Sequence, residues 1–145
     1  MKGKPIVILL VEDDFAHAEI VRRNLANFPV AHRLFHVEDG QMALDYLFQK
    51  NSDPRINPRP DLILLDLRLP KVDGIEVLRQ IKENKDLERI PTVVLTTSAN
   101  GPDLAAARSL GAMSYQVKPA NFEGFTELME TNFWLADVRR TRPHE

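Results

Sequence analysis

Apolar residues along this chain follow two rhythms. Short unbroken runs alternate with stretches in which apolar residues recur every three or four positions. The first run, "IVILLV" at 6–11, is rich in β-branched residues and wholly apolar, the pattern of a strand buried on both faces. "HRLFHV" from His32, "DLILLD" from Asp61, "TVVLT" from Thr92 and "SYQV" from Ser114 read as four further strands. Between them the period changes to that of a helix. Ala18, Val21, Leu25 and Phe28 form one stripe; Met42, Ala43, Tyr46 and Leu47 form a second; Ile75, Leu78 and Ile81 form a third. In "GPDLAAARSLGA", Pro102 is placed to start a helix and Gly111 to end it. "NFEGFTELMETNFWL" reads as a last helix, with Phe122, Phe125, Leu128 and Met129 facing the sheet. "KNSDPRINPRP", polar and interrupted by Pro54, Pro58 and Pro60, is a loop.

Five alternations of strand and helix predict an α/β fold, a doubly wound five-stranded parallel sheet with helices on both faces. In such sheets ligands bind beyond the carboxyl ends of the strands. The 145 residues fit one domain, with a core from about residue 6 to 135 and a short polar tail. Apolar residues at 43% suffice for a packed core. A net charge of -2 gives no reason to expect a nucleic-acid or membrane surface. The chain has no cysteine, which excludes disulfides, a thiol nucleophile and thiolate metal sites and fits a cytoplasmic protein. The basic start, "MKGKP", precedes an apolar run too short for a signal peptide or a membrane span.

The chemistry collects at the strand ends. The first strand runs into Glu12, Asp13 and Asp14; the third into Asp66; the fourth into Thr96 and Thr97; the fifth into Lys118 and Pro119. The second ends in Glu38 and Asp39, left aside as belonging to an edge strand. A parallel sheet brings Glu12, Asp13 and Asp66 together, where they repel one another without a cation. Oxygen ligands with no His or Cys favour Mg²⁺. A lysine and a hydroxyl opposite suit a phosphoryl group, and a carboxylate in that setting can be the nucleophile, giving an aspartyl phosphate. Each motif alone reads more simply as a cap, a turn or a polar strand exit; the combination does not. Asp14 is expected to cap the first helix, Asp73-Gly74 to lead into the third, and His17, His32, His36 and His144 to form no metal cluster.

The motifs "LLVEDD", "LILLDLRLPKVDG", "VVLTT" and "YQVKPA" resemble the receiver domain of two-component response regulators, over about Ile6 to Trp134. The resemblance implies a flavodoxin-like sheet of order 2-1-3-4-5. It implies that Asp66 is the phosphoacceptor and that Glu12, Asp13, Asp66 and the Arg68 backbone carbonyl hold Mg²⁺. Thr96 would be the switch hydroxyl, Tyr115 the rotating aromatic and Lys118 the phosphate-pairing lysine. The Thr97 backbone N–H would contact the phosphoryl group, and the Lys118–Pro119 bond would be cis. "RPDLILLDLRLPKVDG", "IPTVVLTTS" and "NFWL" are most similar to single-domain regulators of the phytochrome type. That subgroup implies a sensor histidine kinase as partner, a phytochrome being the candidate. It also implies a homodimer, with Phe133 and Trp134 at or near its contact. With no room after Trp134 for an output domain, output would be protein association. Arg68 stands where many members carry Asn; its backbone carbonyl is still available to the metal, and its side chain could reach the phosphoryl group and so bear on the lifetime of the phosphorylated state.

Two other readings compete. A Mg²⁺-dependent phosphatase with an aspartyl nucleophile generally needs a second acid two residues on, where this chain has Arg68. A flavodoxin-like carrier needs a phosphate-binding first loop, whereas "VEDDFAH" is acidic.

Overall fold

The computed structural model describes residues 5–26, 31–48, 55–96, 101–112 and 114–117. Along these, strands and helices alternate as β1 (Ile6–Val11), α1 (Phe15–Ala26), β2 (His32–Val37), α2 (Gly40–Phe48), β3 (Leu62–Leu65), α3 (Gly74–Glu83), β4 (Thr92–Thr96), α4 (Gly101–Ser109) and β5 (Ser114–Val117). The strands form one parallel sheet in the order β2-β1-β3-β4-β5. The expected flavodoxin-like order is therefore correct, with β2 at one edge. The expected last helix, with Phe133 and Trp134, lies outside the described residues, as do Thr97 and the Lys118–Pro119 bond.

Side chains alternate across the central strands and build two cores. On one face Ile6, Ile8 and Leu10 of β1 join Leu62 and Leu64 of β3, and Ala18, Val21 and Leu25 of α1 pack on them. On the other, Leu9, Val11, Ile63 and Leu65 meet Ala43 and Leu44 of α2, Val77, Leu78 and Ile81 of α3, and Ala107 of α4. Every residue of β1 and β3 is buried, as their unbroken apolar sequence requires.

One helical stripe is corrected. Met42, expected on the core face of α2, is 41% exposed, and Leu44 is buried in its place. The helix begins at Gly40, so its buried side carries Gly40, Ala43, Leu44 and the half-buried Leu47. In α3 Ile75 is only partly buried, while Val77 completes the core face.

The helix ends follow local chemistry. The Ala16 and His17 amides donate to Asp14 Oδ1 at 2.8 and 3.1 Å, so Asp14 caps α1 as expected. Gly111, at φ +91°, ends the α4 segment: its N–H donates to the Arg108 carbonyl and that of Ala112 to the Ala107 carbonyl. These two bonds are those of a Schellman motif. On the solvent side of α3, Arg79 binds both Glu76 and Glu83, and its hydrogen bond holds the Glu76 carboxyl down at about 2.

Gly74 decides how α3 leaves the sheet. Its N–H donates to the Leu67 carbonyl at 2.9 Å, and a Cβ at this position would overlap the Asp66 carbonyl oxygen and the Leu67 Cα. These are backbone atoms and cannot swing aside. Gly74→Ala should therefore cost about 1–3 kcal/mol of stability, the usual range for overpacking. Urea unfolding should show a lower midpoint at unchanged slope. Gly101→Ala is the control, since nothing lies within 4 Å of its added Cβ. Equal midpoints for the two variants would disprove the packing role of Gly74.

Candidate functional site

β1 and β3 lie side by side with Val11 opposite Leu65, so the next residue of each, Glu12 and Asp66, is also adjacent. The Asp66 N–H donates to the Val11 carbonyl at 3.1 Å and continues the ladder by one step. On the other side of β1 the Glu12 N–H donates to the Val37 carbonyl at 3.1 Å. The two carboxylates thus leave the sheet from its centre. Their side chains are buried, Glu12 at 2% and Asp66 at 6% exposure, while Asp13 is exposed beside them. One carboxylate oxygen from each of Glu12, Asp13 and Asp66 lies within 4.8 Å of the others.

That convergence has an electrostatic consequence. Unit charges at this spacing repel by about 3–4 kcal/mol per pair at an effective dielectric near 20. Local donors offset part of it. The Asp14 N–H donates to Glu12 Oε2 at 3.1 Å, and the Arg68 N–H donates to Asp66 Oδ1 at 3.3 Å. A divalent cation would convert the repulsion into shared attraction. The donors are all carboxylate oxygens, the set that suits a hard ion such as Mg²⁺ or Mn²⁺ rather than zinc or copper. Among the described residues no other group of three acidic or imidazole side chains converges in this way.

The surroundings hold this arrangement in place. His36 Nε2 lies 2.7 Å from the Glu12 carbonyl oxygen, which can only accept, so Nε2 carries the proton. Phe15 packs edge-on against the same imidazole, ring centres 5.9 Å apart. The loop after Asp66 is fixed from two sides. Leu67 is buried, and Pro70 accepts from both Val72 at 2.8 Å and Gly40 at 3.3 Å. Lys71 adopts φ +69°, an unfavourable region for a residue with a Cβ. Its Nζ approaches Asp39 Oδ2 to 3.9 Å, while Asp39 Oδ1 accepts from the Met42 N–H at 2.7 Å and caps α2.

Of the residues expected at the site, Glu12, Asp13 and Asp66 converge, and Arg68 follows at the rim. The backbone of Thr96 ends β4, with Thr96 opposite Val117, and Tyr115 lies opposite Val94. Sequence reasoning passed over Asp39, although an Asp just before a helical stripe is a capping signal. It also passed over Asp103, whose Oδ2 accepts from Arg68 Nη2 at 3.2 Å across 35 positions. No local pattern announces that pair. The Arg68 side chain is 63% exposed, so the ion pair contributes only about 0–1 kcal/mol.

The response regulator receiver domain family matches residues 8–130. The chain is 45% identical over 141 residues to the probable methanogenesis regulatory protein FilR2 of Methanothrix harundinacea, covering 96% of this chain and 90% of FilR2. It is 44% identical over 136 residues to the response regulator Rcp1 of Synechocystis, covering 92% of each. The Mn(2+)-bound form of Rcp1 superposes with a TM-score of 0.79, covering 97% of this chain and 99% of that one. The phosphorylated cyanobacterial phytochrome response regulator RcpA gives a TM-score of 0.81 at 40% identity, covering 92% and 96% of the two chains.

The acidic cluster makes metal binding testable by itself. Titration with Mn²⁺ should show binding that weakens at least about tenfold in Asp13→Ala, with loss of the thermal stabilisation that mass action gives the wild type. Identical titrations of the two proteins would put the metal elsewhere.

Proposed function

This chain belongs to the response regulator receiver domain family, and on that premise we propose that Asp66 accepts a phosphoryl group from a sensor histidine kinase and that the chain signals through protein association. The observation that carries the reading is the cluster of Glu12, Asp13 and Asp66 at the centre of the sheet's carboxyl edge. The family is one of signalling proteins in two-component pathways, and its receiver domains bind a divalent metal. The finer assignments are ours. The metal is Mg²⁺, held by Glu12, Asp13, Asp66 and the Arg68 carbonyl. When bound, it neutralises charge that develops on the phosphoryl oxygens.

The chain's own residues do the rest. An Asp66 carboxylate oxygen attacks phosphorus in line. The P–N bond of phosphohistidine breaks as the P–O bond to Asp66 forms, and the imidazole leaves with a proton. Burial on the sheet's central strands fixes the attacking oxygen, so little orientational freedom is lost in the transition state. Lys118 pairs with the phosphoryl oxygens, and the Thr97 N–H donates to one of them. Thr96 then moves toward the new charge, and Tyr115 follows, which biases an existing two-state equilibrium at the face of α4 and β5. The Lys118–Pro119 peptide is read as cis.

The partner kinase is proposed to be a phytochrome, as the description of RcpA supports. The chain is read as a single-domain regulator, since it matches Rcp1 over 92% of that protein. Among the described residues no helix is long and apolar enough to cross a membrane, and we place its action in the cytoplasm.

Asp66→Asn tests the acceptor, because an amide is no nucleophile here and the change is nearly isosteric. The variant should fold normally yet take no acid-labile phosphate from a small phosphodonor or from a phytochrome kinase, whose donation to the wild type should differ between light and dark. Normal labelling of the variant would remove Asp66 from the mechanism. The proposed homodimer, with Phe133 and Trp134 at or near its contact, is tested by sedimentation of wild type and Trp134→Ala with and without phosphodonor. The wild type should dimerise more tightly when phosphorylated, and the variant should not. A wild type that stays monomeric at high micromolar concentration in both states would refute the dimer.

A further inference from the structure

Arg68 is tied at both ends to features that the phosphorylation chemistry concerns. Its backbone N–H donates to Asp66 Oδ1 at 3.3 Å. Its guanidinium Nη2 donates to Asp103 Oδ2 at 3.2 Å, in the first turn of α4. The side chain therefore runs from the rim of the acidic cluster to the start of the helix whose face is proposed to carry the signal.

We propose that Asp103 and a phosphoryl group on Asp66 compete for the guanidinium of Arg68, so that Asp103 sets the lifetime of the phosphorylated state. The inference rests on the reading of Asp66 as phosphoacceptor and deepens it. Asp103 is a positioning residue here, since it acts through Arg68.

The physical balance favours transfer of the guanidinium. An acyl phosphate brings close to two negative charges and three strong acceptors, against one charge on Asp103. A guanidinium fork matches phosphate oxygens in a bidentate way. The ion pair holds Arg68 only loosely, because its side chain is 63% exposed and the pair is screened by solvent. Asp103 bears the loss easily: it keeps 26% exposure and sits at the positive end of α4. Phosphorylation thus loosens the link between the loop after β3 and α4 at the moment when that face is to change.

The lifetime follows from where the guanidinium sits. In hydrolysis a water oxygen bonds to phosphorus while the P–O bond to Asp66 breaks. Inorganic phosphate leaves with the water's protons, and the Asp66 carboxylate is regenerated. The water must approach from the open side of the acidic cluster, opposite the breaking bond. A guanidinium resting on the phosphoryl oxygens covers that side and slows attack. Asp103 draws it away and so speeds hydrolysis.

The test follows decay of acid-labile phosphate after labelling with a small phosphodonor and Mg²⁺. It uses the full chain as wild type, Asp103→Asn, Arg68→Asn and the double variant, with circular dichroism confirming that each folds. Asp103→Asn should decay about two- to fivefold more slowly than wild type, the scale expected of directly coupled neighbours. Arg68→Asn should decay faster than wild type, and the double variant should match Arg68→Asn. Asp103→Glu, which can still pair, should restore wild-type decay. A purely structural role for Asp103 would persist in the Arg68→Asn background, whereas a role through Arg68 vanishes there. Decay of Asp103→Asn at the wild-type rate or faster, or an equal slowing in both backgrounds, overturns the competition. A wild type that takes no acid-labile phosphate fails earlier and distinctly: it removes the acceptor role of Asp66, and the inference falls with it.

Discussion

Three carboxylates forced into one small volume set the terms for everything around them. Glu12 and Asp66 have no choice of position, because each follows directly on a fully buried strand, and those strands are neighbours in the sheet. Their carboxylates repel one another, and Asp13 adds a third charge from an exposed position. A rigid frame holds such a cluster together, and a shared cation would relieve its repulsion. The frame is the two-sided apolar core, which leaves β1 and β3 no room to separate.

Around the cluster the loops are held by many modest contacts rather than one strong one. Gly74 lets α3 approach the Asp66–Leu67 backbone, and Gly40 lets α2 approach Val72 just as closely. Pro70 accepts two backbone hydrogen bonds, one of them from Gly40, and Lys71 holds its left-handed conformation between them. Backbone contact of this kind yields little, which would suit the role proposed for Asp66 as a nucleophile that must be aimed. The tie between Arg68 and Asp103 is of another kind. It is exposed, screened and weak, so a change of charge nearby can redirect it. Rigid and labile elements lie within a few residues of each other, which is what a phosphorylation switch requires: fixed chemistry and a movable consequence.

The relatives sharpen one part of this picture and widen another. RcpA is described as a phytochrome response regulator, while FilR2, at an identity comparable to that of Rcp1, is described as a probable methanogenesis regulatory protein. The receiver machinery is common to these chains. Outside the acidic cluster, Phe15 stands 64% exposed.

The sequence alone determined the order of strands and helices, because unbroken apolar runs and helical stripes are local patterns that few alternatives satisfy. It also determined that Glu12, Asp13 and Asp66 would meet, since a parallel sheet brings all strand ends to one edge. It misjudged Met42, because the start of a short helix at Gly40 sets which stripe faces inward, and periodicity alone leaves that phase open. It passed over Asp61, whose carboxylate accepts from the Val7 N–H at 2.8 Å and whose own N–H donates to the Val7 carbonyl. Only the tertiary structure decided that Asp39 would face Lys71, that His36 would hold the Glu12 carbonyl, and that Arg68 would reach Asp103. Each of these joins residues distant in sequence through a side chain, and no local pattern encodes which of several nearby partners a flexible charged side chain will find.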